Sequence, residues 1–353
     1  MIRKVAIFVA AAMLSLHAVQ ASGIFGSRPD FKDDAEEIKI RLEIVPAGKE
    51  PGFGQIDSSE YEEFLSRVSR MKHLRRLSVT FLKVPHADFV FPVERLSGLT
   101  NLNSLAIENS ATNSVKVTSL SVCKKMPLKE LSVMYVEDVA EMDSIRELKG
   151  LEDLCCTSEE MFRFAPSGLR ALDFESAEVS GSLELKRFRQ LKSLCLHDVK
   201  CSSIQGLGSL TDLERLTLCR MPVKNLSEIK SCTRLKSFEV RHCWDFDEKF
   251  GVEDLKGHPL EYLVLEKCPL SRIQGLEECP LEILVIDGAQ IKSVDDICRL
   301  PKLKFLSVNS EKIHLKGFES KEHLKELFPK LENLTLTYFD SADSEIKFQD
   351  IDF

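Results

Sequence analysis

The chain has 353 residues, 43% of them hydrophobic and only 7% aromatic, which suits either two globular domains or one elongated repeat domain. Its formal net charge is −8, and no concentrated basic stripe is present, which argues against a nucleic-acid partner or an anionic membrane surface. Eleven cysteines, an odd number scattered without dense pairing, argue against a disulfide framework.

At the N-terminus, Arg3 and Lys4 precede the apolar run Val5 to Leu16, and Val19-Gln20-Ala21 offers small residues at the cleavage positions. This pattern predicts a secretory signal over residues 1–21. A run of 12 residues is too short to cross a hydrocarbon core of about 30 Å as a helix. Cleavage removes Arg3 and Lys4, two positive charges, and takes the net charge from −8 to −10. No cysteine follows the run to carry a lipid anchor, and no other stretch reads as transmembrane. The expectation is a periplasmic or extracellular protein with no membrane insertion after cleavage.

Residues 22–70 read as a lead-in followed by an N-terminal cap. Ser22 to Glu37 is rich in Gly, Pro and charge, and Ile38, Ile40, Leu42 and Ile44 then alternate with Lys39, Arg41 and Glu43 as in a half-buried strand. After a Pro/Gly-rich turn, Ser59 and Glu62 are spaced as a capping box, and Tyr61, Phe64, Leu65, Val68 and Met71 share one helical face. Such a unit closes the first rung of a stack that would otherwise expose its apolar column.

Residues 71–339 repeat one short phrase about a dozen times. It begins as Leu74-Leu77-Val79, Leu102-Leu105-Ile107, Leu128-Leu131-Val133, Leu151-Leu154-Cys156 and Leu169-Leu172-Phe174, with uneven spacing. It then becomes regular from Leu191-Leu194-Leu196 through Leu213-Leu216-Leu218, Leu235-Phe238-Val240, Leu260-Leu263-Leu265 and Leu281-Leu284-Ile286 to Leu303-Leu306-Val308. The first leucines of this block lie 22, 22, 25, 21 and 22 residues apart. A fixed period of this size signals stacked repeats. Counting the first leucine as position 0, apolar residues stand at positions 0, 3 and 5, the signature of a short strand with one buried face. Rungs about 4.8 Å apart then pair as parallel strands and merge their leucines into one column.

The phrase resembles the leucine-rich repeat family, L-x-x-L-x-L, in the 22-residue form of internalin-like secreted bacterial proteins. The resemblance implies an α/β solenoid: a curved parallel sheet on the concave side, and 3₁₀ or short helical turns on the convex side, where Val223, Leu226, Ile229 and Cys232 recur about three apart. Position 8, usually Asn in the family, holds Val199, Met221, Cys243, Cys268 and Ala289 here, which leaves open how the turn satisfies its backbone groups. Ser320 to Phe328 predicts a helix stopped by Pro329, followed by a last rung, Leu331-Leu334-Leu336. The acidic segment 340–353 carries Ile346, Phe348, Ile351 and Phe353, which suggests a C-terminal cap that folds back.

Cys243 and Cys268 share position 8 in neighbouring rungs, so their α-carbons lie about 5 Å apart, within disulfide range. A disulfide is one reading and a ladder of free, small apolar residues the other. No G-x-S-x-G, H-E-x-x-H, C-x-x-C or P-loop motif occurs, and Gly206-Leu-Gly208 reads as turn chemistry. Asn225-Leu-Ser227 and Asn333-Leu-Thr335 match the glycosylation sequon. A catalytic residue, a metal and a cofactor are not expected.

Function is expected on the side chains that alternate with the leucines. Positions 6 and 7 of the middle rungs give His197 and Asp198, Cys219 and Arg220, Arg241 and His242, then Glu266 and Lys267. Tyr262 lies on the strand that ends at Glu266, and the longest repeat adds a loop with Trp244, the only tryptophan. Trp and Arg are enriched at binding hot spots. These residues predict a partner-binding face for a protein or cell-surface macromolecule in a non-enzymatic protein. An envelope-associated scaffold without a discrete site is the alternative, and a hydrolase using His197 and Cys219 a remote one. His197, Cys219 and His242 also carry donor types that suit zinc, but no fourth ligand is in view.

Overall fold

The computed structural model describes residues 32–46, 48–52, 55–86, 89–223, 226–243, 252–268, 273–288, 293–311, 316–340 and 345–352. The expected signal over residues 1–21, the start of the lead-in, the Trp244 loop and Ala289 lie outside the described residues. The chain divides into two compact units, Met1–Pro166 and Ser167–Phe353, so the repeat region expected over 71–339 contributes to both.

In the first unit, strands β1 (Glu37–Glu43), β2 (Arg76–Lys83), β4 (Ser104–Asn109), β6 (Glu130–Met134) and β8 (Asp153–Cys156) form a parallel sheet in that order. Between them, β3 (Phe89–Phe91), β5 (Val115–Val117) and β7 (Glu137–Val139) form a second, three-stranded parallel sheet. Register follows the repeat: Leu77 faces Leu105, which faces Leu131, which faces Leu154. All four are buried. Helix α1 (Ser58–Val68) buries Tyr61, Phe64, Leu65 and Val68. Its aromatic face continues into the sheet, with ring centroids 5.3 Å apart for Tyr61 and Phe89 and 5.4 Å for Phe81 and Phe89.

Helix α1 is capped two residues earlier than the sequence pattern suggested. Asp57, not Ser59, is the N-cap; its carboxylate accepts the Ser59 and Glu60 amides at 2.8 and 2.9 Å, and Glu60 reaches back to the Asp57 amide at 3.2 Å. Glu62 instead pairs with Arg95 at 2.6 Å. A second difference explains the short spacing between Leu151 and Leu169: this rung closes with helix α2 (Glu159–Phe164), six residues capped by the Ser158 hydroxyl.

In the second unit, β9 (Ala171–Glu175), β11 (Ser193–His197), β13 (Arg215–Cys219), β14 (Ser237–Arg241), β15 (Tyr262–Glu266), β16 (Ile283–Asp287), β17 (Phe305–Glu311) and β18 (Asn333–Asp340) form a parallel sheet in that order. The last strand, β19 (Glu345–Asp352), lies antiparallel on β18. A short pair, β10 (Ser182–Glu184) with β12 (Ser203–Gln205), stands apart from the main sheet. Helix α3 (Lys321–Leu327) begins at the Ser320 cap and buries Leu324.

Leu194, Leu216, Phe238, Leu263, Leu284, Leu306 and Leu334 stand in one register column, each no more than 1% exposed. Each such side chain contributes about 1.5–3 kcal/mol by leaving water. Position 1 of each rung has a recurrent backbone role. Its carbonyl accepts two amides from the next rung, as when Arg170 takes Lys192 and Ser193 at 2.8 and 3.1 Å and Lys192 takes Glu214 and Arg215 at 2.8 and 2.9 Å. The connections hold 3₁₀ turns, for example Ser227–Ser231 and Val252–Leu255. Gly206 opens another with φ of 79°, where a Cβ would come within 2.8 Å of the Lys186 backbone nitrogen. Glycine is the residue that fits there.

Candidate functional site

Alternation along each strand of the second unit puts positions 3 and 5 into the core and positions 2, 4 and 6 on the opposite face. His197, Cys219, Arg241 and Glu266 therefore line up at position 6 of four consecutive strands, with Glu175 before them and Asp287 and Asn309 after. The row is a chain of polar contacts. Arg241 Nη1 donates to Glu266 Oε2 at 2.6 Å, and its Nη2 and Nε donate to Glu239 Oε2 at 2.9 and 3.1 Å. His242 Nε2 lies 2.9 Å from Glu266 Oε1. Asn309 Nδ2 donates to Asp287 Oδ1 at 2.8 Å.

These groups are sheltered: the side chains of Arg241, Glu239 and Glu266 are 13%, 12% and 19% exposed. Burial works against the Arg241 charge, but Glu239 and Glu266 outweigh it and hold the guanidinium above its ordinary range. Burial, reinforced by the neighbouring Glu266, raises the Asp287 carboxyl. At the other end of the row, hydrogen bonds to Cys219 and Glu175 push His197 up to about 10.

Position 7 does something else. Asp198, Arg220, His242 and Lys267 adopt left-handed backbone, with φ of 53°, 53°, 53° and 50°, and belong to the turn that follows the strand. The conformation turns each amide onto the position-6 carbonyl of the next rung: Asp198 to Cys219, Arg220 to Arg241 and His242 to Glu266, each at 2.8 Å, and Lys267 to Asp287 at 2.6 Å. The eight-residue strip expected from sequence thus separates into a row on the sheet face and a row of turn residues. Of the latter, His242 rejoins the former through Glu266.

Tyr262 sits at position 2, the far end of its strand from Glu266. Its hydroxyl is buried with no hydrogen-bond partner, and burial, then the nearby Glu239, pushes it up to about 12. Tyr262, Ile283 and Phe305 are in register across β15, β16 and β17, with Val264 and Val285 beside them at position 4. All but Val264 are half-buried. This apolar patch, together with Glu239 and Asp287, was missed from sequence because positions 2 and 4 were not read across rungs.

The disulfide considered for Cys243 and Cys268 is not formed; all eleven cysteines are free. Position 8 instead satisfies the turn. Cys243 Sγ donates toward the Leu218 and Arg241 carbonyls at 3.7 and 3.4 Å, and Cys268 Sγ toward those of Val240 and Glu266 at 3.5 and 3.3 Å. The Cys243 amide in turn hydrogen-bonds the Cys268 sulfur. A thiol here performs part of the work of the usual asparagine. Burial pushes Cys243 up to about 11 and Cys268 to about 12, so both stay protonated.

Among the described residues, no three His, Cys, Asp or Glu side chains are arranged to hold a metal, and no helix is long and apolar enough to cross a membrane. In the first unit a concavity is lined by Arg146, Glu159, Glu160, Arg163 and Phe164. Within it Arg163 lies 3.0 Å from Glu159 and Arg146 stacks 4.2 Å over Phe164.

A parallel ladder of L-x-x-L-x-L strands joined by 3₁₀ turns is a leucine-rich repeat solenoid fold. No family model matches the chain. It is similar to Toll-like receptor 4 of Equus caballus, with 24% identity over 301 residues, 81% of this chain and 33% of that protein. The chain spans about a third of the length of this curated relative. Similar solved structures include an internalin, InlF, from Listeria monocytogenes, with 14% identity, TM-score 0.49 and 91% of each chain covered. A leucine-rich repeat protein of Leptospira interrogans matches with 15% identity, TM-score 0.38, and 76% of this chain and 91% of that one.

Proposed function

We propose that this is a secreted, non-enzymatic leucine-rich repeat protein that binds another protein through the leucine-free face of its second unit. The observation that carries this reading is the patch of Tyr262, Ile283, Val285 and Phe305 on a solvent-facing sheet, where side chains that only maintained solubility would be polar. Beside it stand the sheltered carboxylates of Glu266 and Asp287. Apolar anchors with an internally paired polar rim fit a partner segment that presents apolar side chains. The signal pattern of residues 1–21 supports secretion, and the name of the curated relative, a receptor, is consistent with recognition. Trp244, which follows β14 in the sequence, and the turn residues Asp198, Arg220 and Lys267 are proposed to extend the surface.

The test is photo-cross-linking from position 285 to isolate the partner, then affinity measurements on Ile283→Glu and Phe305→Glu, with Arg241→Ala and Trp244→Ala as companions. The patch variants are expected to lose at least 10-fold in affinity, about 1.4 kcal/mol, while keeping a native circular dichroism spectrum. Unchanged affinity in folded variants rejects this face.

A further inference from the structure

Four side chains in one row have an arrangement that protein binding does not require. Glu175, His197, Cys219 and Arg241 occupy the same register position on β9, β11, β13 and β14. The Glu175 carboxylate is only 1% exposed, and its Oε1 lies 3.9 Å from His197 Nδ1. The imidazole also hydrogen-bonds Cys219. The next strand places Arg241 in register with Cys219, with its guanidinium fixed by Glu239 and Glu266. Cys219 therefore lies in register between His197 and Arg241 of the neighbouring strands, on a half-buried site that solvent reaches. A cation beside a sulfur favours the ionised, nucleophilic form. A carboxylate beside an imidazole favours its protonated form.

Four other thiols have different settings. Burial, together with Asp173 and Glu175, pushes Cys195 far up, and burial raises the half-buried Cys201. The Cys243 and Cys268 thiols are committed to backbone carbonyls.

We propose that Cys219 is a nucleophilic thiol, positioned by His197 and Glu175, that undergoes thiol–disulfide exchange with a low-mass disulfide. Its sulfur attacks one sulfur of RS–SR, the Cys219–S–S–R bond forms, and the RS–SR bond breaks. The departing RS⁻ takes up the proton that His197 received from Cys219, so the products are the mixed disulfide and RSH. The Cys219 sulfur rises from the thiol to the disulfide level while the departing R sulfur falls from the disulfide to the thiol level, so no further oxidant is needed. No oxyanion hole or enclosed cleft is needed for this chemistry. The oxidising compartment implied by a signal sequence supplies disulfides.

The experiment treats the folded chain with excess cystine, quenches with acid at intervals and quantifies each cysteine adduct by peptide mass spectrometry. Cys219 is expected to react about 10-fold faster than the other half-buried thiols, Cys155 and Cys201. This comparison uses the unaltered protein and so does not depend on a variant folding. His197→Gln and Glu175→Gln then test the positioning roles through the pH profile between 6 and 9. The charged and titratable groups on the same sheet face of the nearby strands are Asp173 and Glu175 from β9, Cys195 and His197 from β11, and Glu239 and Arg241 from β14. The unaltered protein is expected to keep more of its pH 9 rate at pH 6 than His197→Gln does. His197→Gln is expected to react slowly at pH 6 and to climb steeply with pH. Equal rates at Cys219, Cys155 and Cys201, or a profile unchanged by His197→Gln, overturn the proposal.

Discussion

His197 ties a single protonation event to the row it belongs to. Its hydrogen bonds to Cys219 and Glu175 lift it from 6.5 to about 10 in the folded chain. A raised histidine contributes stability that is fully present below the unfolded value near 6.5 and is lost as pH rises through about 10. Thermal unfolding of the native chain is therefore expected to weaken between pH 7 and 10 by more than that of His197→Gln, and the imidazole NMR resonances should still report a protonated ring at pH 8. A titration midpoint near 6.5 contradicts the contacts. The left-handed turn residues make a second prediction. Arg220 has φ of 53°, a conformation that costs a residue with a Cβ about 1–2 kcal/mol. Glycine adopts it freely but loses about 0.5–1 kcal/mol of chain entropy. Arg220→Gly is expected to leave stability unchanged or raise it by up to about 1 kcal/mol in urea unfolding. A loss larger than that would mean that the guanidinium, not the backbone turn, matters to the fold. Gly288 already occupies the equivalent turn with φ of 64°.

At the scale of elements, α1 shows how a cap is set by the backbone rather than by composition. The pattern of a short acceptor followed three residues later by Glu occurs both at Asp57–Glu60 and at Ser59–Glu62, and the structure uses the first. Asp57→Ala is expected to cost about 1 kcal/mol, and Ser59→Ala much less; the opposite order in chemical denaturation would restore Ser59 as the cap. The strands were legible because leucines at positions 0, 3 and 5 report burial, and burial is what sequence periodicity records. The left-handed turns were not, because Arg220, His242 and Lys267 have no preference for that backbone: the ladder of amides onto position-6 carbonyls imposes it. Likewise α2 is too short to leave a period. In the site, His197, Arg241 and Glu266 were readable as polar residues alternating with leucines. Glu175 was not, since it sits on a rung whose spacing is irregular and its burial has no sequence signature.

On the scale of the whole molecule, stacked rungs touch only their neighbours in register, so a local loss stays local. Leu216 is 1% exposed and stands between Leu194 and Phe238 in the column. Replacing it with alanine removes apolar contacts and leaves a cavity, a cost of about 2–5 kcal/mol. In a single cooperative core that loss would speed hydrogen exchange at the most protected amides of every element alike. In a stack, protection reflects the opening of each neighbourhood. Leu216→Ala is therefore expected to accelerate amide exchange most in β11, β13 and β14, less in β16 and β17, and least in β2 and β4 of the first unit. Hydrogen–deuterium exchange followed by mass spectrometry reads this gradient directly. Uniform acceleration from β2 to β18 would show that the two units unfold as one, and no acceleration near β13 would show that Leu216 does not carry the packing its register assigns to it.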